Sequence, residues 1–448
     1  MKILRAAETD LAAALAGLSQ NLGMSGAIVS EASRRKTVEV FGAPLTPLEV
    51  VRRILADVKT RGDEAVSEYC RKLDGAHLAL KRFRVTLKEM KAAHDALPKA
   101  LRDSLRRARK NIERFQRHIK VKPPAALTAA DGGELRIEYR PLKRIAALVP
   151  GGRASYPSTA LMTIIPAQVA GVQEVVMATP SLPDGSARPE NLAVAHMLGL
   201  TEVYRFGGAH GVAALAFGTR TVPRVDMIVG PGNLFVTLAK REVYGECDLD
   251  MLAGPSEVLI IANESADPRY VAADLLSQAE HDPAASVLLT PSESVARRTV
   301  EELERQLPLL SREKAARACL DRYGFIAVTR SLDQAVALAN QFAPEHLELA
   351  VKAPEKLLRD IRCAGAVFLG HQTPEPVGDY VAGPSHVLPT GGTARFAHGL
   401  NVNDFLRPMS VLKYSRKALA KAVNDVNIIA RAEGLDAHAR SATIRFER

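Results

Sequence analysis

The feature that most constrains this chain is an alternation of short apolar runs with helical stretches, all beyond Pro123. Four runs come first: RIAALVP (144–150), EVVMATP (174–180), EVYRFGG (202–208) and VDMIVG (225–230), each leading into a Gly or Pro turn. Helix-patterned segments such as STALMTIIPAQVAGV and HGVAALAFGT lie between them. A second series follows, with SEVLIIAN (256–263), SVLLTP (286–291), GFIAVT (324–329) and GAVFLG (365–370). Strands that read as continuous apolar runs are buried on both faces, and strand–helix–strand alternation builds parallel sheets. The class predicted is α/β, with two Rossmann-like sheets.

The flanks have a different pattern. From Thr46 to about Val121 the chain is helical and charged: Val50, Ile54, Val58, Ala65 and Tyr69 recur at helical spacing, behind a cap signature of Thr46, Pro47 and Glu49. Leu101, Leu105, Ala108, Ile112 and Phe115 mark one face of a second, Arg/Lys-rich helix. The stretch beyond Phe405 is again helical and basic, and the Ala/Leu-rich start gives a helical N-terminal segment.

Composition narrows the function classes. Of 448 residues, 47% are hydrophobic and 25% charged, which excludes a disordered or fibrous chain. No apolar run approaches the ~20 residues of a membrane span, and the N-terminus lacks a signal-peptide pattern. The formal charge is +10. A basic face at 102–122 raises a nucleic-acid-binding reading, but no RNA- or DNA-binding motif accompanies it, so a solvated surface is preferred. The four cysteines, Cys70, Cys247, Cys319 and Cys363, are scattered and form no CxxC pair, as expected for free thiols in a cytoplasmic protein.

Several constellations could carry chemistry. Gly207-Gly208-Ala209-His210-Gly211 and Gly230-Pro231-Gly232-Asn233 each follow a strand, where glycine lets backbone approach a phosphate. A structural turn explains either as well. VPGGRASYPST (149–159) crowds donors at a strand-to-helix turn and favours a polar ligand. In LLSQAEHDP, Gln278 and His281 are i and i+3, either metal donors on one helix face or a helix end capped by His281. FAPEHLEL puts Glu345 beside His346, an acid–base pair suited to two proton transfers or a surface pair. The Gly/Pro-rich stretch 374–392 holds Asp379 and His386, and the tail carries Glu433 and His438. Nitrogen and oxygen donors without thiolate suit zinc or manganese.

Taken together, RGDEAVSEY, VPGGRASYPS, GPGNLFV, AGPSEVLIIA, LLSQAEHDP, PEHLEL, GAVFLG, GDYVAGPSHVLPTGG and EGLDAH, in this order, resemble the histidinol dehydrogenase family from about Thr46 to His438. The resemblance implies an NAD-dependent, zinc-requiring enzyme, one Zn2+ per subunit. Such an enzyme oxidises L-histidinol through L-histidinal to L-histidine with two NAD. By motif position, Gln278, His281, Asp379 and His438 look like the zinc ligands. Glu345 and His346 look like the catalytic pair, His346 taking the alcohol proton and Glu345 activating water. Ser256, His386 and Glu433 join Gln278, His281, His346, Asp379 and His438 as expected substrate contacts.

The resemblance also implies an intertwined homodimer whose tail reaches the neighbouring site. It divides the chain into a helical segment 1–44, a first unit of 45–147 with 256–400, a second, NAD-side unit of 148–255, and a swapped tail 401–448. Departures fall at the cofactor positions. Leu148 stands where members usually have Tyr and His210 where they have Gln; Asn233 is retained, and Ser385 replaces an Asn. A relative oxidising another small alcohol, such as a sulfonated propanediol, would share the zinc and base residues; retention of Glu433 and Ser256 favours histidinol.

Overall fold

The computed structural model describes residues 1–22, 31–152, 155–281 and 283–447; Arg153 of the polar 149–159 turn lies outside them. Two parallel sheets organise the described residues. The first has six strands in the order β1 (Lys2–Arg5), β11 (Gly324–Val328), β10 (Ala284–Thr290), β9 (Ser256–Ala262), β12 (His346–Ala350) and β13 (Ala366–Leu369). The second has five: β6 (Val203–Tyr204), β5 (Glu174–Ala178), β4 (Arg144–Leu148), β7 (Met227–Val229) and β8 (Asp248–Leu249). A small antiparallel sheet joins β14 (Leu406–Lys413), β3 (Glu134–Pro141) and β2 (Leu127–Thr128). Both predicted strand series are present. Central β9 and β10 bury nearly every residue, which is why their sequences read as mainly apolar runs.

Two strands of the first sheet were not foreseen, nor were β8 of the second or the antiparallel sheet. Residues 1–44 were expected to be helical, yet β1 pairs in parallel with β11 along Lys2–Arg5 before helix Leu11–Leu22 begins. Four residues are too few to show a period. That helix then buries Leu11, Leu15, Leu18 and Leu22 on the first sheet. The other unforeseen strand, β12, carries Glu348 between Leu347 and Leu349, so no apolar run announces it.

The charged helices begin as read. Thr46 caps helix Pro47–Arg61, its side chain accepting from Glu49 N while the Glu49 carboxylate reaches back to Thr46 N at 2.7 Å. Their partner differs from expectation. Val50, Ile54 and Tyr69 share a core with Val176, Tyr204 and Ile228, and Leu105 and Ile112 of helix Lys99–Ile119 pack with Ile145 and Leu161. The buried faces of segment 45–147 therefore lie mainly against the sheet of 148–255, while helix Lys99–Ile119 also meets Val387, Leu400 and the turn at Gly383. An amphipathic stripe shows which face is buried but not what buries it.

Among the described residues no helix is long and apolar enough to cross a membrane. The tail forms helices Arg416–Ala432 and Asp436–Thr443, which pack mainly on each other and leave Ile428, Ile429 and Leu435 exposed.

Candidate active site

Helix Leu332–Phe342 ends at Ala343, the one non-glycine residue at positive φ (+53°) among the described residues. A methyl-bearing residue in the left-handed region costs about 1–2 kcal/mol, a strain typical of functional junctions. The chain then turns through Pro344 into Glu345 and β12, so the acid–base pair enters the middle of the first sheet, with β9 on one side and β13 on the other. Both side chains are buried.

Hydrogen bonds assign the imidazole's state. His346 Nδ1 lies 3.0 Å from the Glu257 carbonyl, which can only accept, so Nδ1 carries a proton. The working atom is Nε2, buried and without a hydrogen-bond partner, 3.6 Å from Asp379 Oδ1 and 3.9 Å from Glu375 Oε1. Glu345 Oε2 accepts from Glu257 N at 2.9 Å, and Glu257 accepts in return from Glu345 N and Gly391 N.

Several anions crowd this space. Burial pushes the Glu257 carboxyl up to about 8, with the Glu345 charge adding to it. Glu345 itself rises to about 7, mainly through burial and against the pull of His346. For His346, burial opposes the charged form, yet Glu345, Asp379 and Glu375 together carry it to about 10. Burial likewise raises Glu375 to about 8, while Asp379, although buried, is held low by its interaction with His346. The set demands positive charge. His346, Glu375 and Asp379 place one ligand atom each within 4.8 Å of one another, a geometry able to hold a cation.

The other expected donors approach from separate elements. Gln278 lies fully buried in the last turn of helix Pro268–Ala279, both amide atoms without partners. His281 is not on the same helix face: the helix ends at Ala279, and His281 N bonds Gln278 O at 3.1 Å in the turn beyond. That imidazole has its pKa lowered, first by loss of water and also by His346, with Asp379 opposing. Asp379 sits in the π-turn Gly378–Ala382, the wide i→i+5 type of turn that recurs at functional sites. Gly383 (φ +127°) closes that turn against helix Lys99–Ile119, where a Cβ would come within 2.9 Å of Phe115. Ser256 lies beside Glu345 and draws its pKa down, against the larger upward push of burial. In place of an open contact, His386 is held at both nitrogens, Nδ1 donating to Asp379 O at 2.9 Å and Nε2 accepting from Thr159 Oγ1 at 3.2 Å. Glu433 and His438 are exposed on the tail, and within one chain the His346 cluster closes without them.

The expected cofactor positions divide. Asn233 is exposed at the N-terminus of helix Leu234–Val243, its Oδ1 accepting from Phe235 N and Val236 N while its amide NH2 points outward from that cap. Gly230 (φ +105°) is obligatory, since a Cβ there would sit 2.3 Å from Leu148 O. Leu148 is buried in the core, and His210 is fully buried beside Cys70 and Asp74. Neither side chain is disposed as a surface ligand contact: an aliphatic chain and a paired imidazole are both held by the interior.

Sequence reasoning missed Glu257, Glu348, Glu375 and Asp274. Glu348 is raised well above its ordinary value, mainly by burial and then by Asp274, which burial lifts to about 6. A signal existed: Glu257 in SEVLIIA and Glu348 in HLELA are lone acids inside strands buried on both faces, where an unpaired charge is expensive.

Comparisons with known proteins identify the family. The family model described as histidinol dehydrogenase matches residues 45–446. A Rhodopirellula baltica histidinol dehydrogenase is 48% identical over 439 residues, covering 98% of this chain and 95% of its own length. One from a Synechococcus strain is 50% identical over 396 residues, covering 88% and 91%. The crystal structure of histidinol dehydrogenase from Elizabethkingia anophelis superposes with a TM-score of 0.89 at 33% identity, covering 100% of this chain and 98% of that one. With a buried acid–base pair on matching scaffolding, the chain belongs to the histidinol dehydrogenase family, oxidoreductases of histidine biosynthesis.

Proposed function

We propose that the protein carries out the zinc- and NAD-dependent four-electron oxidation of L-histidinol through L-histidinal to L-histidine. The observation that carries this reading is the orphaned His346 Nε2, facing Asp379 and Glu375 in a buried site rich in carboxylates. Gln278, His281 and Asp379, with His438 from a second copy, would hold the zinc; the unpartnered amide of Gln278 fits such a role. When bound, zinc supplies a Lewis acid that orients the substrate's hydroxyl and amine, and NAD supplies the hydride acceptor.

The chain's own groups handle protons. Asp379 raises the basicity of His346; with that carboxylate engaged by a cation, Nε2 is free to take the hydroxyl proton as hydride leaves the adjacent carbon. Glu345, rising to about 7, can then accept a proton from the water that adds to the aldehyde. The resulting hydrate loses a second hydride to a second NAD and a proton to give the carboxylate. Ser256 steadies Glu345, and His386 steadies the Asp379 backbone.

Exposed Ile428, Ile429 and Leu412 support a homodimer in which the tail brings Glu433 and His438 to the neighbouring site. Packing supports redrawn units of 1–22 with 256–384 and of 45–255 with 400–413, leaving the helices of 416–443 as the part to be exchanged. The free cysteines suit a reducing cytoplasm.

The decisive assay follows NADH with zinc, NAD and L-histidinol beside other small alcohols, including a sulfonated propanediol. Two NADH per histidinol is expected; silence on histidinol with turnover of another alcohol overturns the substrate assignment. Mixing inactive His438 and His281 variants should restore part of the activity, and no recovery would remove the exchanged tail.

A further inference from the structure

The second unit contains a second cluster of potential ligands, away from the His346 site. Cys70 and Asp74 are i and i+4 in the last turn of helix Asp63–Asp74, so both side chains share a face. His210, in the first turn of helix Gly208–Phe217, points between them. Its Nε2 lies 3.5 Å from Cys70 Sγ and 3.4 Å from Asp74 Oδ2, and all three ligand atoms lie within 4.8 Å of one another. Cys70 and His210 are fully buried, while Asp74 keeps an edge open to solvent.

As a hydrogen-bond arrangement this is poor. One nitrogen faces two acceptors, and both Asp74 Oδ2 and His210 Nδ1 are buried without a hydrogen-bond partner. As a coordination shell it is good. Zinc bond lengths of about 2.3 Å to sulfur and about 2.0–2.1 Å to nitrogen and oxygen give tetrahedral edges of roughly 3.6 Å and roughly 3.3 Å, close to the two separations seen. The local charge also asks for a cation: although burial opposes it, Cys70 and Asp74 draw the His210 imidazole up to about 10.

We propose that Cys70, Asp74 and His210 form a second, structural site for a zinc-like divalent cation, with thiolate, carboxylate and imidazole donors and water entering past Asp74 as the fourth ligand. The site would tie helix Asp63–Asp74 to the Gly207–Gly208 turn at the end of β6, bracing the side of the second sheet where strand ends meet helix N-termini.

The test loads the full-length protein with Co2+ alone, because the His346 cluster has no thiolate and only a cobalt–thiolate bond absorbs strongly in the near ultraviolet. The wild-type chain should bind two equivalents and show the charge-transfer band. Cys70→Ser and His210→Gln should each lose the band and about one equivalent, while Cys247→Ser keeps both. Circular dichroism checks that each variant is folded. If either variant fails to fold, the wild-type titration still decides. A single equivalent without the band overturns the proposal, as does a band that survives Cys70→Ser.

Discussion

The two parallel sheets share a topology class but place their polar groups differently. In the six-stranded sheet, charged side chains are inside the strands: Glu257 on β9 and His346 and Glu348 on β12 lie buried between apolar neighbours. In the five-stranded sheet the central β4 and β7 bury only apolar side chains apart from Arg144 at the start of β4, which pairs with Glu174 at 2.6 Å and Glu202 at 2.5 Å. The groups proposed to face the cofactor sit in the turns, at Gly230 and Asn233. Under the proposed function, proton transfer in the first sheet would need groups whose protonation is set by burial, and cofactor binding at the second would need backbone that can be approached. The difference teaches that one architecture can place polar groups either inside its strands or at their ends.

The comparison is most exposed at His346. His346→Asn keeps a donor for the Glu257 carbonyl but removes the proton acceptor, so turnover of histidinol should fall about 10²- to 10⁴-fold with bound zinc unchanged. Undiminished NADH formation would take the first sheet out of the chemistry. Glu257 gives a stability readout. Its carboxyl titrates near 4.5 when unfolded and near 8 when folded. Between those values the unfolded chain has released the proton and the folded chain still holds it, so stability falls as pH rises through the window. Glu257→Gln should flatten that fall, by up to about a few kcal/mol at pH 9; an unchanged slope in urea melts would show that burial does not hold this proton.

Asn233 tests the other sheet. Asn233→Ala removes the helix cap, costing about 1 kcal/mol, and should raise the KM for NAD while leaving kcat nearly unchanged. A fall in kcat alone would mean that the division between the sheets is drawn wrongly. The smallest effect is expected at Ala343, where Ala343→Gly should relieve the left-handed strain and raise stability by roughly 0.5–1 kcal/mol. A loss of stability would show that Ala343 is not strained.

What was legible in the chain follows the same divide. The strand series could be read because doubly buried parallel strands are written as apolar runs; β12 could not, because its function interrupts the run with Glu348. Glu345, His346, Gln278, His281 and Asp379 were reachable through local blocks of sequence. The meeting of His346 with Asp379 was not, since Asp379 arrives from a π-turn in the loop beyond the sheet. Glu257 and Glu375 escaped because each is an ordinary carboxylate until the fold buries it. The resemblance put His210 at a cofactor position, and only packing shows Cys70 and Asp74 beside it.

One small bond set has a mechanical meaning. His386 is pinned between the carbonyl of Asp379, in the loop that follows the first sheet, and the hydroxyl of Thr159, on the helix that follows β4 of the second. Burial, the largest influence, lowers its pKa and keeps the ring neutral, so one nitrogen gives and the other receives. The imidazole is thus a rivet across the seam between the halves. Any breathing motion that parts them must pull on the turn carrying Asp379, so opening the seam and slackening the Asp379 carboxylate become one event.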